Sequence, residues 1–411
     1  MLAQVEGRLS FIYTNEWLNN PAAIPLSISL PLQVQAFGDQ AARPFFAGLL
    51  PEGDQRKLIA RTLQVSRQND FALLDAIGGE CAGAVTLLEP GHWLPQITDA
   101  NTVRWFDDDE IIRLLDELPR RPMLAGEAGI RLSLAGAQDK LPVVIADGKD
   151  GAHDDGRIGL PLNGSPSSHI LKPPISTIED SVINEGFCMA LAASIKLDVA
   201  KTQIRHVAGR SFLLVERYDR RLTPQRNLER LHQEDFCQAL GIAPEYKYQN
   251  EDGPDLARCF DLLRRATRPS ATNILRLLDF VIFNALIGNH DAHAKNFSLL
   301  YSDKGLLLAP LYDVLSTAIY PNLAPKMAMK VGSKYRFSEV QTLHWEAFAQ
   351  QARLSPAQVR KRIIQLAQQL PLAARRLQTS PDLIFANSAI VEQIATLIEQ
   401  RAALTMHRLT T

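Results

Sequence analysis

The sequence predicts an α+β protein of two lobes, in which a β-rich portion precedes an α-rich one. Two observations carry this prediction. Before about residue 220, several short segments alternate apolar and polar residues as half-buried strands do, whereas most of the chain beyond Arg221 has helical spacing. The length of 411 residues also suits roughly two to three domains. We expect three parts, over residues 1–100, 101–218 and 219–411.

Charge, cysteine content and hydropathy exclude several classes of protein. Lys plus Arg (44) nearly equals Asp plus Glu (45), which argues against a chain that mainly coats nucleic acid or anionic membrane. The N-terminus lacks the apolar core of a signal peptide, and the longest apolar stretch, Phe280–Gly288, is too short to span a membrane. Four widely spaced cysteines form no C-x-x-C motif, and we interpret them as reduced, buried thiols of a cytoplasmic protein. They are Cys81, Cys188, Cys237 and Cys259.

The N-terminal part mixes strands and helices. Pro51 should break its longer helix into two pieces, and an acidic first turn favours the start of the shorter one. The stretch Pro90–Asn101, with two prolines and a glycine, favours a boundary. The predicted elements are the strands Arg8–Tyr13 and Ile24–Leu30 and the helices Arg43–Thr62 and Asp107–Leu118.

The middle of the chain reads as a strand-rich region with one helix. Arg131–Ile145 predicts a strand, a tight glycine-containing stretch and a second strand over Leu141–Ile145. Gly148–Ser168, rich in Gly, Asp, Ser and Pro, predicts a surface loop. The further elements are a strand over His169–Lys172, a helix over Ser181–Ile195, and a hairpin of Gln203–Val207 and Ser211–Tyr218.

The most apolar helix in the chain is predicted over Asn273–Gly288, where apolar residues occur nearly all round the helix and indicate burial. Directly behind it lies the sequence Asn-His-Asp-Ala-His-Ala-Lys-Asn, residues 289–296, which contains only polar and small residues. A buried helix that delivers a polar loop is how a rigid scaffold presents a site. We therefore expect the chemistry of this protein to lie in that loop.

A β-hairpin is predicted after the loop, with strands over Phe297–Tyr301 and Leu306–Ala309. Because a hairpin brings its ends together, Asn296 at its entry should lie near Asp313 at its exit. An Asp, an Asn five residues later and a second Asp after a short hairpin are typical of the catalytic loop of protein kinases. In such a loop Asp291 would orient the attacking hydroxyl and accept its proton, while Asn296 and Asp313 would hold Mg²⁺.

Three weaker features occur in the order that a kinase requires. The first is a small-residue stretch between predicted strands, where backbone N–H groups could approach phosphate oxygens, although alone it also fits an ordinary tight turn. The second is Lys172 at a strand end with Glu185 in the next helix, a pair that would grip ATP phosphates. The third is Glu216–Tyr218, where a hinge would present backbone groups to adenine. The small-residue stretch is Ser133-Leu134-Ala135-Gly136-Ala137-Gln138-Asp139-Lys140.

Together these segments resemble the HipA family, the serine/threonine kinase toxins of type II toxin–antitoxin modules. The resemblance covers most of the chain, and its motifs are specific and occur in order. It includes Pro25–Leu32 and Phe71–Leu88 in the N-terminal part. The motifs that carry it are Arg131–Lys140, His169–Lys172, Val215–Arg220, Gln233–Asp235 and Ile287–Asn296.

The resemblance implies a two-lobed fold like that of eukaryotic protein kinases, with a β-rich N-lobe, an extra N-terminal subdomain and an all-α C-lobe. It implies an enzyme that uses ATP and Mg²⁺, with Asp291 as catalytic base and Asn296 and Asp313 on the metal. The nucleotide would be bound by the phosphate loop of Ala135, Gly136, Ala137, Gln138, Asp139 and Lys140, and by Lys172, Glu185, Glu216, Arg217, Tyr218, His293 and Tyr312.

The resemblance also implies regulation and partners. In this family the serine at the position of Ser133 is autophosphorylated, which ejects the loop and disables ATP binding. A phosphate there would add about two negative charges where the ATP phosphates must lie. The antitoxin would be a small HipB-like helix-turn-helix dimer that binds operator DNA. The substrate would be a protein, aminoacyl-tRNA synthetases being known examples in the family, and no membrane partner is expected.

Two departures from the family pattern bear on these expectations. The chain begins almost at Gly7–Phe11, before which the family usually has an additional strand pair. A different start, a separate polypeptide or a trimmed subdomain would each account for this. The segment Pro173–Asn184 is short, and in the family this segment works like an activation loop near the protein substrate. Its brevity bears on the substrate more than on the chemistry.

Two other functions are compatible with parts of the sequence. The spacing Asp291-x-His293-x-x-Asn296 also resembles the catalytic loop of phosphoinositide kinases, and aminoglycoside kinases share a similar spacing, so a small-molecule kinase is one alternative. A catalytically silent corepressor subunit is the other, although none of the key residues is substituted. For a DNA-facing role the chain has one local basic cluster, which we interpret as a solvated surface. It consists of Arg220, Arg221, Arg226 and Arg230.

Overall fold

The computed structural model describes residues 1–92, 102–146, 156–224, 227–380 and 384–410. Its strands are β1 (Leu2–Val5), β2 (Arg8–Phe11), β3 (Val103–Trp105), β4 (Leu141–Ile145), β5 (Ile158–Pro161), β6 (His169–Lys172), β7 (Thr202–Val207), β8 (Arg210–Glu216), β9 (Arg220–Leu222), β10 (Leu228–Arg230), β11 (Gln233–Asp235), β12 (Ser298–Ser302) and β13 (Gly305–Leu308). Its helices are α1 (Asn15–Leu18), α2 (Asp39–Ala47), α3 (Gly53–Thr62), α4 (Asp70–Ile77), α5 (Asp108–Glu117), α6 (Ser181–Ser194), α7 (Phe236–Ala239), α8 (Leu256–Ala266), α9 (Ser270–Ile287), α10 (Thr342–Gln351), α11 (Pro356–Gln378) and α12 (Ala389–Thr410).

The chain divides into two compact units. The first unit consists of Met1–Ile175, Gln203–Pro244 and Leu300–Ser302. The second unit consists of Ser176–Thr202, Glu245–Leu299 and Asp303–Thr411. Most of the strands therefore belong to the first unit and most of the long helices to the second. Residues 93–101 of the predicted boundary stretch lie outside the described residues.

The first unit is built on a six-stranded sheet with the order β3-β5-β4-β6-β8-β7. At its centre Leu171 of β6 lies opposite Leu141 of β4 on one side and Leu214 of β8 on the other, in antiparallel register. All three leucines are buried. They belong to one apolar core with the aromatic side chains of the N-terminal helices, among them Phe45 and Phe46 of α2. Burial of this apolar surface holds the helices and the sheet together.

Most predicted elements of the first unit are confirmed, with the helix over 43–62 dividing into α2 and α3 as Pro51 requires. The strand expected over Ile24–Leu30 is wrong. The segment forms a turn in which Leu30 N–H donates to Ser27 O at 3.0 Å. The physical reason is the buried carboxylate of Glu234, which accepts hydrogen bonds from the Ser27 hydroxyl and from Ile28 N–H at 3.0 Å. The segment alternates apolar and polar residues because it turns around the Glu234 carboxylate, and it does not pair as a strand.

Three further expectations are corrected. The strand expected before the phosphate loop reduces to a single bridge between Leu132 and Glu80. The loop expected over Gly148–Ser168 contains the buried strand β5, which pairs with both β3 and β4, while residues 147–155 lie outside the described residues. β5 was not predicted for two reasons. Its sequence contains glycine and proline, and because both of its faces are buried it shows no alternation of apolar and polar residues. The chain beyond Arg221 is also less helical than expected, because β9, β10 and β11 precede its helices.

The second unit is built around α9, which packs against α8, α11 and α12. By length and composition alone α9 is the one helix among the described residues that could cross a membrane, but 61% of it is buried inside the protein. Asp279, one of its two charged residues, pairs with the guanidinium of Arg362 on α11, at 2.8 Å between Oδ2 and Nη2. We interpret α9 as the core helix of this unit, because its apolar surface and its carboxylate both have partners in neighbouring helices.

Candidate active site

The polar loop over 289–296 begins where α9 ends. Gly288 closes the helix with a φ of 80°, a left-handed conformation that glycine adopts without strain. A Cβ at this position would lie 2.7 Å from the Cβ of Ala318 and 2.8 Å from Cδ2 of Leu397. A side chain here would therefore meet both steric clash and backbone strain. The buried helix thus delivers the loop at a fixed point of the second unit.

A ladder of two asparagines supports the loop from inside the helix. Asn284 Nδ2 donates to Phe280 O at 2.9 Å, and Asn289 Nδ2 donates to Asn284 Oδ1 at 2.9 Å. Asn289 Oδ1 in turn accepts from the backbone N–H of Asp291 at 3.0 Å. Both asparagines are buried, so these bonds fix the orientation of their amide groups. A chain of hydrogen bonds therefore connects the backbone of Asp291 to the buried helix α9.

The carboxylate of Asp291 has a tyrosine as its neighbour. The Tyr248 hydroxyl donates to Asp291 Oδ1 at 2.6 Å. The ring of Tyr248 meets the ring of His293 edge to face, with the centroids 5.1 Å apart. His293 is buried, whereas Asp291 is exposed. The predicted base is thus open to solvent, and its Oδ1 accepts a hydrogen bond from a phenol.

The hairpin after the loop brings Asn296 and Asp313 together, as its two-strand pattern predicts. Asn296 Nδ2 lies 3.4 Å from Asp313 Oδ2 and 3.5 Å from Asp313 O. The strands β12 and β13 between them are closed by Ala309 N–H, which donates to Ser298 O at 2.8 Å. Asp313 has a φ of 58°, a left-handed conformation that is uncommon for a residue with a side chain. Such strained positions cluster at functional sites.

Tyr312 also lies in this region of the second unit. Its hydroxyl donates to Lys295 O at 2.7 Å and lies 2.7 Å from Ser298 Oγ. The phenol therefore ties the end of the polar loop to the first residue of β12 and the segment after β13. Its contact with nucleotide remains a prediction. Because the hydroxyl is already hydrogen-bonded, such a contact would be made by the ring.

Asn296 and Asp313 offer the oxygen ligands that suit Mg²⁺. Among the described residues no group of three or more His, Cys, Asp or Glu side chains could hold a metal ion. A pair of side-chain ligands fits magnesium in particular, because this ion keeps several waters and is commonly shared between one or two protein side chains and substrate phosphates. The residues present therefore fit the predicted ion.

The predicted phosphate loop lies in the first unit and is anchored at Ser133. This serine is fully buried, and its hydroxyl donates to Leu49 O at 2.9 Å. Its backbone N–H donates to Glu80 O at 2.9 Å, and Glu80 N–H donates to Arg131 O at 2.8 Å. Hence the start of the loop is held by side-chain and main-chain bonds to the N-terminal segment.

The tip of the loop is a tight turn. Gly136 has a φ of 108°, and a Cβ there would lie 2.7 Å from Lys140 Nζ. Lys140 Nζ donates to Ala135 O at 2.7 Å, and Glu52 N–H donates to Gly136 O at 3.0 Å. Gly136 therefore makes room for an ammonium group that folds back over the turn. The neighbouring Ala137 is exposed.

The far side of the loop carries Gln138 and Asp139, both half-buried. Gln55 Nε2 donates to Asp139 Oδ1 at 3.0 Å. Burial raises the pKa of Asp139, against the opposing effects of the Gln55 hydrogen bond and the Lys140 charge.

Lys172 and Glu185 occupy buried positions in different units. Lys172 closes β6 in the first unit, and Glu185 lies in α6 of the second unit. Their exposed fractions are 5% and 2%. Charged side chains are seldom this buried without polar partners, so neither residue is an ordinary solvated surface charge. Their roles toward ATP stay predictions.

The expected hinge separates into two kinds of residue. Glu216 ends β8 opposite His169 of β6, and the Tyr218 hydroxyl donates to Gln233 Oε1. Arg217 faces inward, where its guanidinium donates to Asp219 and to the carbonyl of Cys81, both within 2.9 Å. The Arg217 side chain is therefore engaged inside the first unit, and the expected contact of the Glu216–Tyr218 backbone with adenine stays a prediction.

The same network corrects the interpretation of the basic cluster as a solvated surface. Glu80 Oε1 accepts from Arg217 at 3.1 Å and from Arg220 at 2.6 Å, and Glu80 Oε2 accepts from Arg230 at 2.6 Å. Arg217 and Arg220 also flank Asp219. Arg220 and Arg230 are thus buried or nearly so, and Arg221 is exposed. Position 226 lies outside the described residues.

Electrostatics within this network favours its charged form. Burial alone would raise the pKa of Glu80, but Arg220, Arg217 and Arg230 together hold that pKa below its usual value. Burial would likewise raise the pKa of Asp219, which Arg217 and Arg220 hold far below its usual range. The two carboxylates therefore stay ionised and offset two of the three positive charges in the network.

Sequence reasoning missed three residues that hydrogen-bond to predicted site residues, namely Glu80, Tyr248 and Asn289. Tyr248 is 43 positions from Asp291, and Glu80 is 137 positions from Arg217. Neither separation leaves a local pattern that would reveal the contact. Asn289 belonged to the polar loop and could have been found, since a polar residue directly behind a buried helix often satisfies the helix end.

Comparison with known proteins places these observations in a family. Residues 132–374 match the HipA-like C-terminal domain, and residues 1–88 match the HipA N-terminal domain. The chain is 46% identical over 402 residues to Y4mE of Sinorhizobium fredii, a protein named as a kinase, covering 97% of this chain and 93% of the relative. It is 30% identical to the serine/threonine-protein kinase toxin HipA of Shewanella oneidensis, covering 88% and 82% of the two chains.

A solved structure gives the same result for the fold. The HipA chain in the Shewanella oneidensis complex of HipA, HipB and operator DNA matches with a TM-score of 0.85 and 27% sequence identity. The match covers all of this chain and 96% of the other. Both units of the mixed α and β architecture therefore have counterparts in that protein.

Proposed function

The chain belongs to the HipA family of kinases, and on that premise we propose that it is a Mg-ATP-dependent protein serine/threonine kinase that serves as the toxin of a toxin–antitoxin module. The observation that carries the proposal is the grouping of Asp291, Asn296 and Asp313 in the second unit. An open carboxylate on a loop fixed by a buried helix, followed by an amide and a carboxylate 3.4 Å apart, is what phosphoryl transfer requires.

In this proposal Asp291 accepts the proton of a serine or threonine hydroxyl as its oxygen attacks the γ-phosphorus of ATP. The bond from the γ-phosphorus to the bridging oxygen breaks, and ADP leaves. Asn296 and Asp313 would hold Mg²⁺, which supplies charge neutralisation on the phosphates when bound. The residues proposed to bind the ATP phosphates, Ala135–Lys140 and Lys172, belong to the first unit.

We further propose that Ser133 is the site of self-inactivation. The serine is fully buried and bonded to Leu49 O, so a phosphoryl group does not fit there while the loop is seated. Modification therefore requires the loop to leave its place, and the added charge would oppose its return. This agrees with the loop ejection that the family resemblance implies.

The proposed partner is a small HipB-like helix-turn-helix antitoxin that carries the complex to operator DNA. The support is the Shewanella oneidensis protein, whose structure is a complex with HipB and operator DNA. The formal net charge of −1 is in keeping with DNA contact made mainly by the antitoxin. The proposed location is the cytoplasm, and an aminoacyl-tRNA synthetase is a candidate protein substrate.

The test is intact-protein and peptide mass spectrometry of the wild type and of Asp291→Ala after incubation with Mg-ATP. We expect phosphate on Ser133 in the wild type alone. Asp291 is exposed, so Asp291→Ala should keep the wild-type melting temperature. Equal phosphorylation of both proteins would contradict the role of Asp291.

Two other outcomes separate the alternatives. ATP binding by calorimetry without transfer to protein would favour a small-molecule kinase. Neither binding nor transfer would favour a catalytically silent corepressor subunit.

A further inference from the structure

We propose that Tyr248 is a positioning residue that fixes the carboxylate of Asp291 for catalysis, an inference that rests on the proposed kinase function. The Tyr248 hydroxyl donates to Asp291 Oδ1 at 2.6 Å, within the second unit. A carboxylate that a neighbouring side chain already holds in one orientation needs less ordering when the substrate binds.

A closed ring of hydrogen bonds sets the distance between the two residues. Ala328 N–H donates to His290 O at 2.8 Å, and Gln249 N–H donates to Ala328 O at 3.2 Å. His290 and Gln249 are the chain neighbours of Asp291 and Tyr248. The side-chain bond from Tyr248 to Asp291 closes the ring. The tyrosine is therefore tied to the catalytic loop through the main chain as well as through its phenol.

The segment around Tyr248 is a turn held by main-chain hydrogen bonds. Tyr248 O accepts from Glu251 N–H at 3.0 Å and from Gly253 N–H at 2.9 Å. A Cβ on Gly253 would lie 2.3 Å from Tyr246 O and 2.5 Å from Tyr248 O, so the turn closes around a residue without a side chain. Gln249 Oε1 accepts from Lys330 N–H at 2.7 Å, which adds a second tie to the segment over 327–330.

These ties distinguish a positioning residue from a placeholder for the substrate. A placeholder occupies the acceptor's position and must leave before each turnover. Tyr248 is held by main-chain bonds on its C-terminal side, and its ring packs edge-on against the buried ring of His293. Movement of the phenol away from Asp291 would break this ring packing, while the main-chain bonds keep the backbone of Tyr248 next to the catalytic loop. The geometry therefore favours a phenol that stays bound to Oδ1 throughout the reaction.

The test compares Tyr248→Phe with the matched control Tyr246→Phe in the full-length protein. Both variants lose one phenolic hydroxyl and keep the ring, but Tyr246 is 52% exposed. The single-turnover rate of phosphate incorporation into the protein is measured against ATP concentration in excess Mg²⁺. We expect Tyr248→Phe to lower the maximal rate about 10-fold or more, with an unchanged half-saturating ATP concentration and melting temperature. Tyr246→Phe should match the wild type.

Each result decides the matter. A lower maximal rate with unchanged half-saturation and melting temperature supports positioning, because a general structural defect would move all three. A higher rate in Tyr248→Phe overturns it in favour of a placeholder that blocks the acceptor position. A rate equal to that of the wild type overturns the positioning role and leaves the kinase proposal standing. No phosphate incorporation by the wild type itself overturns the kinase proposal and this inference with it.

Discussion

The hydroxyl of Ser133 donates to the carbonyl of Leu49 at 2.9 Å in a region where Ser133 has no solvent exposure. The bond joins the start of the phosphate loop to the residue two positions after the C-terminus of α2. A charged or larger side chain at position 133 therefore has neither space nor a suitable partner. We therefore expect the loop to stay in this position only with a small, neutral side chain at residue 133.

Ser133→Asp should release the phosphate loop and weaken ATP binding. A buried carboxylate facing the Leu49 carbonyl has no donor to satisfy it, so the loop should leave rather than bury the charge. We expect at least about a 10-fold loss of ATP affinity by isothermal titration calorimetry. Unchanged affinity would contradict the link between Ser133 and nucleotide binding.

Ser133→Ala is the matched control for that variant. It removes one buried hydrogen bond and adds no charge, so the cost in stability should be about 1 kcal/mol. The loop should remain seated, and the variant should bind ATP as the wild type does in the same titration. A large loss of affinity here would mean that the hydroxyl itself, rather than the absence of charge, holds the loop.

Asp313→Asn should lower phosphoryl transfer about 10²- to 10³-fold, the range typical for loss of one charge-stabilising group. Asparagine tolerates the left-handed backbone of this position, where φ is 58°, so the fold should be kept. The concentration of Mg²⁺ that gives half-maximal rate should rise. Asp303→Asn, in the exposed turn of the same hairpin, is the control and should behave as the wild type.

Glu80→Gln should destabilise the protein by about 3–5 kcal/mol in urea unfolding, because it removes the negative charge that three guanidinium groups share in a buried site and leaves Asp219 to face two of them. The control is Glu229→Gln, which breaks the exposed pair with Arg221 and should cost no more than about 1 kcal/mol. Equal and small effects of the two substitutions would mean that the buried network contributes little to stability.

Glu234 should make stability depend on pH. Burial raises its pKa to about 7, against hydrogen bonds from Ser27, Tyr301 and Ile28 that oppose the rise. A carboxyl with a raised pKa in the folded state contributes stability that is present below about pH 4.5 and is lost as the pH rises through about 7.

The test of this dependence is urea unfolding of the wild type and Glu234→Gln from pH 5 to pH 8. The neutral isostere lacks the titration, so the stability of the wild type relative to the variant should fall over this range. The change should reach up to about 3 kcal/mol across the whole shift from 4.5 to 7. A difference between the two proteins that is constant with pH would show that Glu234 does not titrate there.

Local patterns made α9, the polar loop and the β12–β13 hairpin predictable. Helical apolarity, the closing Gly288 and strand alternation all act within about 20 residues. The meeting of Asn296 with Asp313 follows from the hairpin itself and was predictable for the same reason. These are the parts of the site whose geometry depends on neighbours in the chain.

Contacts between distant segments were not predictable. Arg220 and Arg230 read as solvated charges because their partner Glu80 lies 140 and 150 positions away. Ile24–Leu30 alternates like a strand, yet it folds over Glu234, about 206 positions further on. In each case the deciding interaction is a buried carboxylate whose partners no local spacing reveals.

The Glu80 network has a consequence for dividing the chain. Glu80 lies in the N-terminal family segment, residues 1–88, and its three arginines lie in the C-terminal segment, residues 132–374. A polypeptide of the second segment alone would retain the three clustered arginines but lose Glu80, with Asp219 still facing Arg217 and Arg220. The two segments match separate family models, but the buried ion pairs between Glu80 and the three arginines join them in the folded protein. A gene that divided them would have to encode two products that bind each other, each supplying the charge that the other lacks.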